Sequence, residues 1–178
     1  MPDEKAVQFD INAEINKFFD NSSLPEGGSP KFILIMGIPG AGKTTLRQDS
    51  FSKGYVIVDA NEIYRNICKD QNYPYESYKD MVELLGGLIA DKAVKEKRNI
   101  VMEVMCDSAE KAKLVIDAMK SVGYMVDLKF VHCDPVEAYK RHVNKVHEDK
   151  LYISCAFTHE SHQRWILDAV KKNQSSVK

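Results

Sequence analysis

The chain has 178 residues, a formal net charge of −1 and 44% hydrophobic residues. That length suits one domain with a full core, and the near-zero charge excludes a global positive field that would recruit nucleic acid or an acidic membrane. No apolar run approaches the roughly 18 residues of a membrane span. The start, Met1-Pro2-Asp3-Glu4-Lys5, lacks the apolar core of a signal peptide. Cys68, Cys106, Cys133 and Cys155 are scattered without a C-x-x-C pair, so they read as reduced thiols of a cytosolic, cytoplasmic protein. The five histidines show no zinc-ligand spacing.

In chain order, Ile11, Ile15, Phe18 and Phe19 recur at helical spacing and predict an amphipathic helix over 10–20. A Pro/Gly/Ser-rich loop follows to Pro30, so residues 1–30 read as a helix and loop packed on the core. The apolar run Phe32 to Met36 predicts a strand buried on both faces. It leads directly into Gly37-Ile38-Pro39-Gly40-Ala41-Gly42-Lys43-Thr44-Thr45, which contains G-x-x-x-x-G-K-T. Glycines at 37, 40 and 42 let the backbone turn tightly and aim N–H groups at phosphate oxygens. The helix expected over Thr44 to Phe51 presents its positive end to the same anion. Lys43 is then expected at the β/γ-phosphates of ATP, with the Thr44 hydroxyl on Mg²⁺.

Tyr55 to Val58 predicts a second strand ending at Asp59, which opens a helix with Glu62 three residues on, a capping-box spacing. Asp59 suits two roles, an N-cap and a catalytic or metal-holding carboxylate. A long helix is predicted from Glu76 to Lys97, weakened or bent at Gly86-Gly87. The third strand, Ile100 to Val104, carries Glu103 among apolar neighbours, where a carboxylate is costly unless paired or facing a wet site. Asp107 and Glu110 predict a helix to Val122, and Met125 to Val131 a fourth strand. Asp134-Pro135-Val136-Glu137 is another helix start. It leads to Lys140, Arg141 and Lys145, which are either a solvated basic face or a phosphate-facing lid. A last helix is expected over Thr158 to Lys171, with Trp165 as its core anchor and 173–178 as a polar tail. Tyr73, Tyr75 and Tyr78 are a packing cluster or a base-stacking platform. His132 and Cys133 are expected to be buried, and Arg47 to make a structural ion pair.

Strands alternating with helices give an α/β three-layer sandwich, a P-loop domain over 31–172 with a parallel sheet of about four to five strands. Ligands bind at the carboxyl ends of such strands, where Gly37, Asp59, Glu103 and His132 or Asp134 should gather.

Over residues 10–145, with its P-loop, the Val58-Asp59-Ala60-Asn61 element, Ile100-Val101-Met102-Glu103 and Asp134-Pro135, the chain resembles the zeta-toxin family of small P-loop kinases. The resemblance implies ATP·Mg²⁺-dependent phosphorylation of a hydroxyl on a nucleotide sugar such as a UDP-sugar, with an antitoxin-like protein as a partner. It implies Lys43, Asp59, Glu103 and Arg141 as catalytic residues and Thr44 and Asp59 as metal partners. Two positions depart from the family pattern. Asn61 stands where the family carries its usual general base, and an amide cannot accept that proton. Asp107 stands where sugar-kinase members carry arginine. The alternatives are a kinase acting on NAD, another metabolite or a polynucleotide 5′-hydroxyl, and an ATP-binding module with little transferase activity.

Overall fold

A computed structural model describes residues 10–68, 74–105, 108–153 and 155–175. Four parallel strands, β1 (Lys31–Met36), β2 (Val56–Val58), β3 (Ile100–Val104) and β4 (Met125–Phe130), form one sheet in the order β2-β3-β1-β4. Seven α-helices flank it among the described residues: α1 (Ile11–Lys17), α2 (Lys43–Phe51), α3 (Ala60–Ile67), α4 (Lys79–Lys95), α5 (Ala109–Ser121), α6 (Pro135–Glu148) and α7 (Cys155–Ser175). Because the chain leaves β1 toward β2 on one side and reaches β4 on the other, β1 and β3 flank the point where strand order reverses. Side chains alternate across each strand. Phe32, Leu34 and Met36 therefore enter the larger core with α4, α5 and α7, while Ile33 and Ile35 pack on the opposite face with Leu46 and Phe51 of α2. No described helix is long and apolar enough to cross a membrane.

Local signals hold at most helix starts. Asp59 accepts from the Glu62 N–H at 3.0 Å, and Asp134 accepts from the N–H groups of Val136 and Glu137. The cap of α5 differs from expectation: Ser108 accepts from the Lys111 N–H, and Asp107 lies outside the described residues. The long helix begins later than predicted, at Lys79 after a 3-10 turn over Tyr75–Ser77. The last helix is longer, reaching Ser175. Asn173, expected in a tail, donates to Asp91 of α4 and to the Ala169 carbonyl.

Gly86 has a different purpose from the expected bend. A Cβ there would meet the Trp165 ring at 2.4 Å, so the glycine lets the indole of α7 come close against α4. Trp165 is itself buried and donates its N–H to Glu83. The apolar face of α1 goes inward, with Ile15 and Phe19 buried and Lys92 4.4 Å over the Phe19 ring. Tyr75 and Tyr78 pack edge-on against Tyr64 as a structural cluster, and Tyr73 lies outside the described residues. His132 is exposed, contrary to expectation, and stacks on Phe130. The physical reason is that it follows β4, which lies at the edge of the sheet among the described residues.

Candidate active site

The loop between β1 and α2 wraps the P-loop sequence over the carboxyl edge of the sheet. Gly40 has φ +79°, and a Cβ there would sit 1.9 Å from the Ala138 carbonyl oxygen of α6. Only glycine fits both that backbone and that approach. Gly42 is the N-cap of α2 and supplies no capping side chain, so the first-turn N–H groups face the loop without a side-chain oxygen taking them. The buried Lys43 bends back over the cradle, its Nζ donating to the carbonyls of Gly37 at 2.7 Å and Ile38 at 3.1 Å. Ile38, Pro39, Ala41 and Thr45 complete the loop and first turn.

Beneath it lies a buried charged network. Glu103, near the end of β3, accepts from Arg47 Nε at 2.6 Å and from the Thr44 hydroxyl at 3.0 Å. Arg47 also donates to Glu62 at 2.8 Å, so the Glu62 side chain serves the guanidinium while its backbone N–H serves the cap. Asp59 is buried next to both. Burial opposes the charge on Arg47, but Asp59 and Glu103 outweigh it and hold the guanidinium above its ordinary range. Burial and the Asp59 charge push the Glu103 carboxyl up, while Arg47 and Thr44 pull against them. The expected structural ion pair of Arg47 is therefore present, and its partner is the strand glutamate itself. Both Glu103 oxygens are engaged by the P-loop helix, so this carboxylate orders Thr44 and Arg47.

The site opens into a cleft of about 450 Å³ whose walls include Lys43, Thr44, Asp59, Glu103, Arg141 and Lys145. All four expected catalytic residues thus share one cavity. Arg141 lies on α6, more than half exposed, with a 3.2 Å contact to Glu137 one turn away. Hard oxygen donors suit Mg²⁺, which takes one or two carboxylates and keeps most of its shell for phosphate and water. The Thr44 hydroxyl and the Asp59 carboxylate, which line the same cleft, are donors of the type that suits this ion. His132 is absent from this wall.

Two residues that motif reasoning assigned no such role complete the site. Asn61 uses both ends of its amide on the backbone of one residue: Oδ1 accepts from the Ile153 N–H at 2.7 Å and Nδ2 donates to the Ile153 carbonyl at 3.3 Å. It clamps the segment between α6 and α7, which Arg65 also holds through Asp149. The amide is therefore structural, and Asn61→Asp should not switch activity on. It removes the Nδ2 donor and sets a carboxylate against a carbonyl, so stability should fall by about 1–3 kcal/mol in chemical denaturation, with no gain in turnover. Higher turnover in the variant would show that position 61 faces the reaction.

His162 on α7 is almost fully buried. Its Nε2 accepts from the Ala60 N–H at 2.8 Å, which leaves Nδ1 to donate to the Glu103 carbonyl at 3.0 Å. One ring ties the backbones behind Asp59 and Glu103 together. Only the pairing of residues about a hundred positions apart could reveal it.

The zeta toxin sequence profile matches residues 15–177. A solved structure from the study "Molecular and structural characterization of the PezAT chromosomal toxin-antitoxin system of the human pathogen Streptococcus pneumoniae" is similar, with 19% identity and a TM-score of 0.59. The match covers 94% of this chain and 70% of that one. A chain of the Pnkp1/Rnl/Hen1 RNA repair complex matches at 14% identity and a TM-score of 0.51, over 85% of this chain and 47% of that one. At these identities the two structures speak for the fold alone. No curated protein matches at a significant level. The profile spans nearly the whole chain and agrees with the P-loop geometry, and the chain belongs to the zeta toxin family.

Proposed function

We propose that this chain is an ATP-dependent phosphotransferase that uses Mg²⁺ and phosphorylates a hydroxyl of a small, nucleotide-containing acceptor such as a UDP-sugar. The observation that carries the reading is the convergence of Lys43, Thr44, Asp59 and Glu103 with the cations of α6 on one cleft. Phosphoryl transfer needs positioning and charge neutralisation more than strong base chemistry, and this arrangement supports both. Thr44 and Asp59 would hold Mg²⁺, which would supply charge neutralisation at the phosphates.

The chain's own residues divide the remaining work. The P-loop N–H groups hold the phosphates and fix their orientation. Lys43 exchanges its loop carbonyls for phosphate oxygens, a strengthening exchange because both partners are then charged. Glu103 keeps the Thr44 hydroxyl donating toward itself, which leaves the Thr44 lone pairs aimed outward. Asp59 accepts the acceptor's hydroxyl proton, the role that Asn61 cannot fill. Arg141 leaves Glu137 at little cost, since exposed i,i+4 pairs contribute only about 0.3–0.5 kcal/mol, and turns to the transferred group. The cytoplasm is the proposed compartment. An antitoxin-like protein is the proposed macromolecular partner, in line with the toxin–antitoxin system named for the pneumococcal relative.

The test is transfer of labelled γ-phosphate from ATP·Mg²⁺ to a panel of UDP-sugars, NAD, nucleosides and 5′-hydroxyl oligonucleotides, with Lys43→Ala as control. A product absent from the control establishes the kinase and its acceptor class. ATP binding that depends on Lys43, without any product across the panel, would replace this reading with a nucleotide-binding module.

A further inference from the structure

β4 closes one side of the sheet among the described residues, and its backbone shows how that side is organised. Met125 donates its N–H to the Pro30 carbonyl and Val131 to the Met36 carbonyl, both at 2.8 Å. With β4 and β1 in parallel register from Lys31↔Met125 to Met36↔Phe130, the odd-numbered residues of β4 direct their peptide groups at β1. The even-numbered ones, Val126, Leu128 and Phe130, therefore direct theirs outward along the edge. Long edge strands with outward N–H and C=O rows are templates for pairing. Here the side chains are exposed as well, Leu128 by 40%, Phe130 by 54% and Met125 by 60%.

We propose that this edge pairs with the same edge of a second copy of the chain, antiparallel, about a twofold axis at Leu128. In that register Leu128 faces its own counterpart, and Val126 faces the second copy's Phe130. All three outward-directed residues then lie in the positions that exchange both an N–H and a C=O with their opposite number. The close-spaced, non-hydrogen-bonded positions between them fall to Asp127 and Lys129. Each Asp127 meets the opposite Lys129, and each Lys129 the opposite Asp127.

The charges select this register. Moving the axis one residue toward the N-terminus sets Asp127 against Asp127, and one residue toward the C-terminus sets Lys129 against Lys129. Like charges directly opposite are destabilising in antiparallel pairs. Within one chain Asp127 and Lys129 already bond along the strand at 2.9 Å, so both side chains lie on one face and need only turn across the axis. Phe130 adds apolar surface at the join, and the helix that packs on β4 carries Leu114, 60% exposed. The product is one continuous sheet through two copies, with both clefts left open because each lies at the carboxyl ends of its own strands.

Light scattering after size exclusion, over loading concentrations from about 1 to about 200 µM, tests this on the full chain. The wild-type mass should rise toward twice the 20.2 kDa of one chain. D127K and K129D, each placing like charges across the axis, should remain at the single-chain mass. The combined D127K/K129D variant should recover the double mass, because opposite charges again face each other. L128P should also remain single, since it deletes an outward N–H while sparing the bonds to β1. A wild-type mass that stays single at every concentration overturns the proposal. So does a dimer that persists in L128P, and a failure of the combined charge exchange to restore association overturns the register. The combined variant keeps the test decisive even if one single variant folds poorly.

Discussion

Replacing Arg47 with methionine should lower the stability of the fold by about 3–5 kcal/mol at neutral pH, the usual effect of removing one partner from a buried pair. Methionine fills much of the same volume, so packing is not the main loss. What remains is Glu103, buried, with the Thr44 hydroxyl as its partner and the Asp59 charge nearby. Burial and Asp59 already push this carboxyl up, and the variant loses the guanidinium that opposes them. The sign of the pH effect follows. In the folded variant Glu103 takes up a proton at a pH where the unfolded chain's carboxylate is still ionised. The folded state then binds more protons, and its stability rises as pH falls. The penalty should therefore be smaller at mildly acidic pH than at neutral pH, and reach its minimum below the ordinary carboxylate range. Chemical denaturation of wild type and variant at the two pH values measures it. A penalty below about 1 kcal/mol, or one indifferent to pH, would mean that the pair does not hold the P-loop helix to β3.

Asp59→Asn should cut the rate of phosphoryl transfer by about 10²–10⁴-fold while keeping the cap of α3. The two roles of this side chain separate cleanly in that substitution. As an N-cap, asparagine equals aspartate, and its Oδ1 keeps the bond to the Glu62 N–H. As a proton acceptor, asparagine is useless. Steady-state kinetics with ATP·Mg²⁺ and the acceptor found by the panel, run beside thermal melts, give both readouts. A variant that melts normally and transfers phosphate at the wild-type rate would leave Asp59 as a helix cap only.

Much of this molecule is legible from local sequence. The P-loop, the buried strands and the caps at Asp59 and Asp134 need only neighbours within a few residues, and each lies where its spacing implies. Glu103 is conspicuous because a carboxylate in an apolar strand demands a partner, although the sequence does not say which one. Legibility fails where one signal has two physical uses. Gly86 reads as a helix bend but serves as a seat for Trp165, and nothing within α4 distinguishes the two. Asp107 and Ser108 are adjacent cap candidates of similar strength, and Ser108 caps the helix. Asn61 reads as a missing carboxylate until Ile153, 92 positions away, is seen to occupy its amide. His162 is the extreme case, since its meaning depends on two backbone groups from separate strands' ends.

The weak anchoring of α6 has an energetic consequence for ligand discrimination. This 14-residue helix buries only Ala138, whereas α4 buries residues along its whole length. Local opening free energies follow such differences, so α6 is soft relative to the sheet, although the Arg65–Asp149 and His142–Tyr152 contacts tether its far end. Arg141 and Lys145 ride on it. A ligand that reaches these cations gains their contacts and also pays to quiet the helix, while one that stops at the P-loop does neither. The difference in affinity between a triphosphate and a shorter anion would therefore be smaller than the contacts alone would give. Turnover, rather than tight retention of nucleotide, is what a soft helix above a rigid cradle favours.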